Sequence, residues 1–188
     1  MARKKSRQTE VASWVYILLL TSVTILGYVL SKFDFTLFKV TLAGGIFVYP
    51  FRYFVANIIT NKYGYKETMN GISYSALMLL LFITVSSLLS SYDINYIPVT
   101  GEIFAYIISQ MINLTIYKRL MDNTDNNKLS ILATYIFAML VDNLVSMLFA
   151  SRMMVSRAFF GSYLLTIIVE AIVAFILIWF CEKEVKKR

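Results

Sequence analysis

Four stretches of this chain set donor, acceptor and charged side chains at helical spacing inside otherwise apolar sequence. Glu102, Tyr106, Gln110, Asn113 and Tyr117 recur at intervals of four, four, three and four, which places them on one helical stripe. Tyr135, Met139, Asp142 and Ser146 form a second stripe, with Asn143 beside it, and Tyr163, Thr166 and Glu170 form a third. The fourth stretch, Ala43 to Glu67, holds a Gly-Gly pair, one of the two prolines, Arg52, and the aligned set Tyr53, Asn57 and Asn61. A charge at bilayer depth costs roughly 2.5–3.5 kcal/mol even on mild insertion scales, so such groups face protein or water rather than lipid. Amides and carboxylates match a donor–acceptor edge, and Tyr faces stack on flat rings. A purine-like heterocycle fits that chemistry, and a cation or a proton fits the carboxylates equally.

Each group also has a plainer reading. Gln110, Asn113, Asn143 and Thr166 could join helices through hydrogen bonds worth about 0.6 kcal/mol each. Arg52 with either Asp142 or Glu170 could be a purely structural ion pair. Lys39 and Glu102 are expected to snorkel to the external interface. The chain has no histidine, no phosphate-binding glycine loop, no metal-ligand cluster and no nucleophile–base pair. It is therefore read as a non-enzyme, with no cofactor and no metal.

The elements that must position these groups are membrane helices. Of 188 residues, 59% are hydrophobic and only 15% charged, with a mean hydropathy of +0.68. The apolar residues come in blocks of about twenty, the length that spans a hydrocarbon core of about 30 Å. The fold class is all-α: one integral membrane bundle over residues 1–188, built from six transmembrane helices. They are expected at about Val11–Ser31, Phe35–Asn61, Ile72–Ser91, Gly101–Tyr117, Leu129–Ala150 and Phe160–Cys181, with helix 2 broken near Gly44–Pro50. Asn61 to Glu67 is read as the turn after helix 2. Basic tails cover residues 1–10 and 182–188, and the basic start with its apolar run is read as an uncleaved first helix.

Of 18 lysines and arginines, thirteen fall on the side of the two tails and three on the other, while Lys39 and Arg52 lie in apolar sequence. That bias puts both termini in the cytoplasm. It also accounts for the net charge of +7 through positive-inside bias and anionic lipid, so no nucleic acid is implied. The single cysteine, Cys181, excludes an internal disulfide framework.

Tyr49-Pro50 and the helix that follows to Asn57, then Tyr63-Gly64-Tyr65-Lys66, Ala105–Leu120 and the stretch around Asp142 together resemble the queuosine precursor transporter family, also called the VUT family. The resemblance runs from about Ala43 to Ala150. It implies a carrier of a bacterial inner membrane that takes up 7-cyano-7-deazaguanine or 7-aminomethyl-7-deazaguanine, precursors of a tRNA nucleoside. Asn57 and Asn113 stand where the family's pattern has Asp, whereas Asp142 is retained. The expected substrate-binding set is Arg52, Tyr53, Asn57, Tyr106, Gln110, Asn113, Asp142, Asn143, Tyr163 and Glu170. The expected partners are a small heterocyclic substrate and the lipid bilayer, and a homodimer is compatible with both. The competing reading is the substrate-binding S component of an energy-coupling-factor vitamin importer, which would need an ATPase module. A third is a membrane assembly protein whose polar groups serve partner helices.

Overall fold

The computed structural model describes residues 2–37, 39–90, 96–123, 128–150 and 157–181. The expected turn at Arg152, the Asp93 end of the preceding external loop, residues 124–127 and the tail 182–188 lie outside the described residues. Six α-helices run as α1 Ala2–Leu30, α2 Tyr49–Tyr63, α3 Tyr65–Ser90, α4 Tyr96–Asn123, α5 Lys128–Ala150 and α6 Arg157–Phe180. All but α2 contain segments long and apolar enough to cross a membrane: Ala12–Leu30, Tyr65–Leu89, Val99–Leu120, Lys128–Phe149 and Phe160–Phe180. Large apolar side chains stay exposed along their outer faces, among them Leu80, Leu88 and Leu89 on α3 and Ile168, Ile172 and Phe175 on α6. A bundle that turns these groups outward is suited to lipid, not water.

The second expected helix is shorter than the sequence suggests. Residues before the Gly-Gly pair form an antiparallel hairpin, β1 Asp34–Leu37 with β2 Val40–Ala43, in the register Asp34 to Ala43 and Leu37 to Val40. The reason lies in Phe35–Ala43. Polar and apolar residues alternate there, and Thr36, Val40 and Thr41 are β-branched, a pattern that favours strands. Lys39 sits exposed in the turn of this hairpin with φ 66°, not inside a helix. A 3₁₀ turn, Gly44–Phe47, then leads into α2. Pro50 falls in the first turn of α2, where its missing N–H costs nothing, so it starts the helix rather than breaking one.

The glycine pair is explained by close packing. A side chain at Gly44 would lie 2.9 Å from the Leu30 carbonyl, and one at Gly45 would lie 2.7 Å from both the Gly27 carbonyl and the Tyr49 ring. The absence of side chains lets the 3₁₀ turn lie directly on the end of α1. At the opposite end of α2 the expected seven-residue turn contracts to Gly64 alone, with φ 92° and ψ 171°. Only glycine adopts that backbone region without strain. Its N–H bonds the Thr60 carbonyl and its carbonyl accepts from Thr68 N, so helix gives way to helix across one residue.

α4 and α5 form the most extensive helix pair, and α2 lies across the interior against α1, α3, α4 and α6. Tyr53, Tyr117, Tyr135 and Met139 make one buried cluster with Ile131, Ala174 and Ile178. Ile17, Leu20, Ile59, Ile72, Tyr106 and Leu114 make a second. Basic side chains gather over aromatic rings at the end that carries Gly64: Lys62 over Tyr16, Lys118 over Tyr65, and Lys128 over Trp179. The hairpin lies at the other end.

Candidate functional site

Two levels of polar side chains lie one above the other inside the bundle. The level nearer the hairpin is built on Arg52. One turn into α2, its guanidinium reaches across to α5 and donates to Asp142 Oδ2 at 2.5 Å, with the two residues 5% and 4% exposed. The sequence left Asp142 and Glu170 open as partners, and the packing selects Asp142. Asp142 Oδ1 lies 3.3 Å from the Ser109 hydroxyl, which also lies 3.1 Å from the Tyr106 carbonyl, so one proton serves two acceptors. The guanidinium carbon sits 4.1 Å from the Tyr49 ring centre and 5.3 Å from that of Tyr106. Aromatic faces thus hold the cation where the ion pair does not.

Beside this pair, Asn143 donates to Glu170 Oε2 at 2.5 Å and fixes a fully buried carboxylate on α6. Tyr163 donates to the Leu140 carbonyl at 3.0 Å, so its hydroxyl is spent on an α5–α6 contact.

Above the ion pair is open space. A small void is lined by Tyr49, Arg52, Glu102 and Asp142. It lies beside a cavity of about 260 Å³, whose lining includes Lys32, Tyr49, Glu102, Asn143, Ser146 and Thr166. Tyr49, Glu102 and Ser146 line both. The hairpin contributes Thr41, Leu42 and Ala43 as one wall. Arg52 and Asp142 therefore form a charged floor to the small void, and the hairpin forms one side of the larger cavity that adjoins it. The expectation that Glu102 snorkels away to the interface is not met. It turns inward and is a cavity residue.

The second level lies nearer the Gly64 end. Asn113 Nδ2 donates to Asn57 Oδ1 at 2.9 Å, which joins α4 to α2. Gln110 is fully buried, and both ends of its amide lack a hydrogen-bond partner among the described residues, as do Asn57 Nδ2, Asn113 Oδ1 and the hydroxyls of Tyr53, Tyr106 and Tyr135. Neither of the two voids above is lined by any of these residues.

Of the ten residues expected to bind substrate, Arg52, Asp142 and Asn143 line the two voids described here. Glu170 is held behind Asn143, Tyr163 is engaged elsewhere, Tyr106 packs beside the Arg52 guanidinium, Asn57 and Asn113 bond each other, and Tyr53 and Gln110 are fully buried. Ser109, Lys32 and the hairpin wall were not anticipated. Ser109 precedes the stripe residue Gln110 and gave no periodic signal, and the hairpin was hidden within an expected helix.

A family model described as "Putative vitamin uptake transporter" matches residues 43–181, and the chain belongs to that family, the VUT family whose motifs it resembles. The match begins at the last hairpin residue and covers every helix except α1. No curated protein and no solved structure matches the chain.

Proposed function

We propose that this membrane protein imports a small planar nitrogen heterocycle, with 7-cyano-7-deazaguanine or 7-aminomethyl-7-deazaguanine as the substrates to test first. The observation that carries this reading is the cavity of about 260 Å³ that adjoins, through Tyr49, Glu102 and Ser146, the small void over the buried Arg52–Asp142 pair. Its volume lies near the lower limit of small-molecule pockets, about 300–1,000 Å³, which suits a bicyclic base better than a large vitamin. The unsatisfied amides and hydroxyls below the floor add support. Buried polar groups without partners are uncommon in folded proteins and call for an explanation. Gln110, Asn57 and Asn113 supply donors and acceptors for a substrate moving inward once the floor opens.

With the Gly64 end in the cytoplasm of a bacterial cell, as the basic residues there favour, the cavity faces outward. The conformation is then the one that admits substrate from outside. Uptake of radiolabelled 7-deazaguanines into a strain lacking its own carrier tests the proposal. Accumulation above an empty-vector control is expected, and its absence with the protein present in the membrane refutes it. A second reading, the substrate-binding subunit of a vitamin importer, is favoured by the six-helix architecture. It requires that an energising ATPase module co-purify with the chain.

A further inference from the structure

Three carboxylates lie within the polar interior, and their surroundings differ. Asp142 is engaged by Arg52 and Ser109. Glu170 is bonded by Asn143 at Oε2 and its buried Oε1 also lacks a partner among the described residues, but it borders neither of the two voids described above. Glu102 lines both the small void and the larger cavity, and it is the least satisfied where a ligand can reach. Its Oε2 is buried and lacks a partner among the described residues. Its Oε1 lies 3.1 Å from the Ser31 hydroxyl, but that hydroxyl lies closer, 2.7 Å, to the Tyr28 carbonyl, so its one proton is drawn away. A carboxylate at a cavity wall with so little donation from the protein is a site for donors that arrive with a ligand.

We infer that Glu102 is the residue that recognises substrate in this conformation, accepting hydrogen bonds from an N–H and an adjacent NH₂ on a flat heterocycle that enters the cavity beside Tyr49. Two parallel N–H···O bonds to one carboxylate require a ligand with an amidine-like or guanidine-like edge. The Arg52–Asp142 pair, which borders only the adjoining small void, is then not the reader of the ring's edge. Lys32, which also lines the cavity, is a competitor for Glu102 from within the chain. Its ammonium is placed 4.3 Å from the Tyr28 ring centre.

This inference rests on the proposed import of a heterocycle, and the test separates the two. Binding of 7-deazaguanine and of 7-deazahypoxanthine, which lacks the exocyclic amine, is measured on the purified full chain in lipid nanodiscs. The proteins compared are wild type, Glu102→Gln, Glu102→Asp and Glu170→Gln. In the wild type, losing the amine is expected to weaken binding by about tenfold or more, the usual effect of removing a hydrogen bond to a charged group. In Glu102→Gln the gap between the two ligands should shrink to within about twofold, whereas Glu102→Asp and Glu170→Gln should keep it. A general weakening with the gap preserved means that Glu102 is structural, and it overturns the inference while leaving the import proposal standing. Failure of the folded wild type to bind either ligand overturns both.

Discussion

Replacing the two ends of the charged floor of the small void separately and together tests the geometry most directly. Arg52 and Asp142 are 5% and 4% exposed and meet at 2.5 Å. At an effective dielectric of about 20 and a charge separation near 4 Å, their attraction is about 4 kcal/mol. Removing one partner strands the other. After Asp142→Leu the guanidinium keeps only the faces of Tyr49 and Tyr106, because its Nε already lacks a partner among the described residues. After Arg52→Met the carboxylate keeps only a proton that Ser109 shares with a backbone carbonyl. Each single change is expected to cost about 3–5 kcal/mol, the usual result of leaving a buried charge unpaired. For a chain of this length that corresponds to a fall of roughly 6–20 °C in melting temperature. The double variant leaves no stranded charge and should lose far less than either single change. Thermal unfolding of the four proteins in one detergent, followed by tryptophan fluorescence or by binding of a thiol dye to Cys181, gives the cycle. If the two single losses add to the double loss within about 0.5 kcal/mol, the side chains are independent and the floor does not exist as described.

Three further changes probe the elements that hold the site. Gly64→Ala should destabilise the bundle by about 1–3 kcal/mol through backbone strain alone, since no atom lies within 4 Å of the position its side chain would take; an unchanged melting temperature would contradict that origin. Gly45→Ala sets a methyl group 2.7 Å from the Gly27 carbonyl and the Tyr49 ring. It should cost about 1–3 kcal/mol from overpacking and also weaken ligand binding by displacing Tyr49, so a stability loss without an affinity loss would separate Tyr49 from the site. Asn57→Asp and Asn113→Asp should each cost about 1–3 kcal/mol, because the remaining amide can donate to the new carboxylate but one neutral hydrogen bond does not offset the burial of a charge. The double variant sets two acceptors against each other where a 2.9 Å hydrogen bond now stands, and it should lose more stability than the sum of the singles.

The last pair shows what was legible in the sequence and what was not. The stripes on α4, α5 and α6 could be read because helical period alone decides which residues face inward. Tyr106, Gln110, Asn113, Tyr135, Asp142 and Glu170 are all buried, as that period requires. Which inward group meets which cannot be read that way, because partners come from helices far apart in the chain. Asn57 and Asn113 stand where the resembled family carries Asp, and read separately they are two losses of charge. In contact they form a complementary pair, since one amide donates where the other accepts. The larger misreading, a helix in place of the hairpin, also has a physical cause: apolar composition dominates over a period-two pattern only a few residues long. Its consequence reaches the site. With 15 residues, α2 is roughly 22 Å long and falls about 8 Å short of a typical hydrocarbon core. The 3₁₀ turn and the inner strand occupy the missing length, and they fill it less completely than a helix with side chains on every face. The cavity lies at that shortfall, with Leu42 and Ala43 as its wall, and Arg52, one turn into the shortened helix, lines the small void that adjoins it. A binding space at this depth is thus the direct result of where the Gly-Gly-to-Pro segment ends one kind of backbone and begins another.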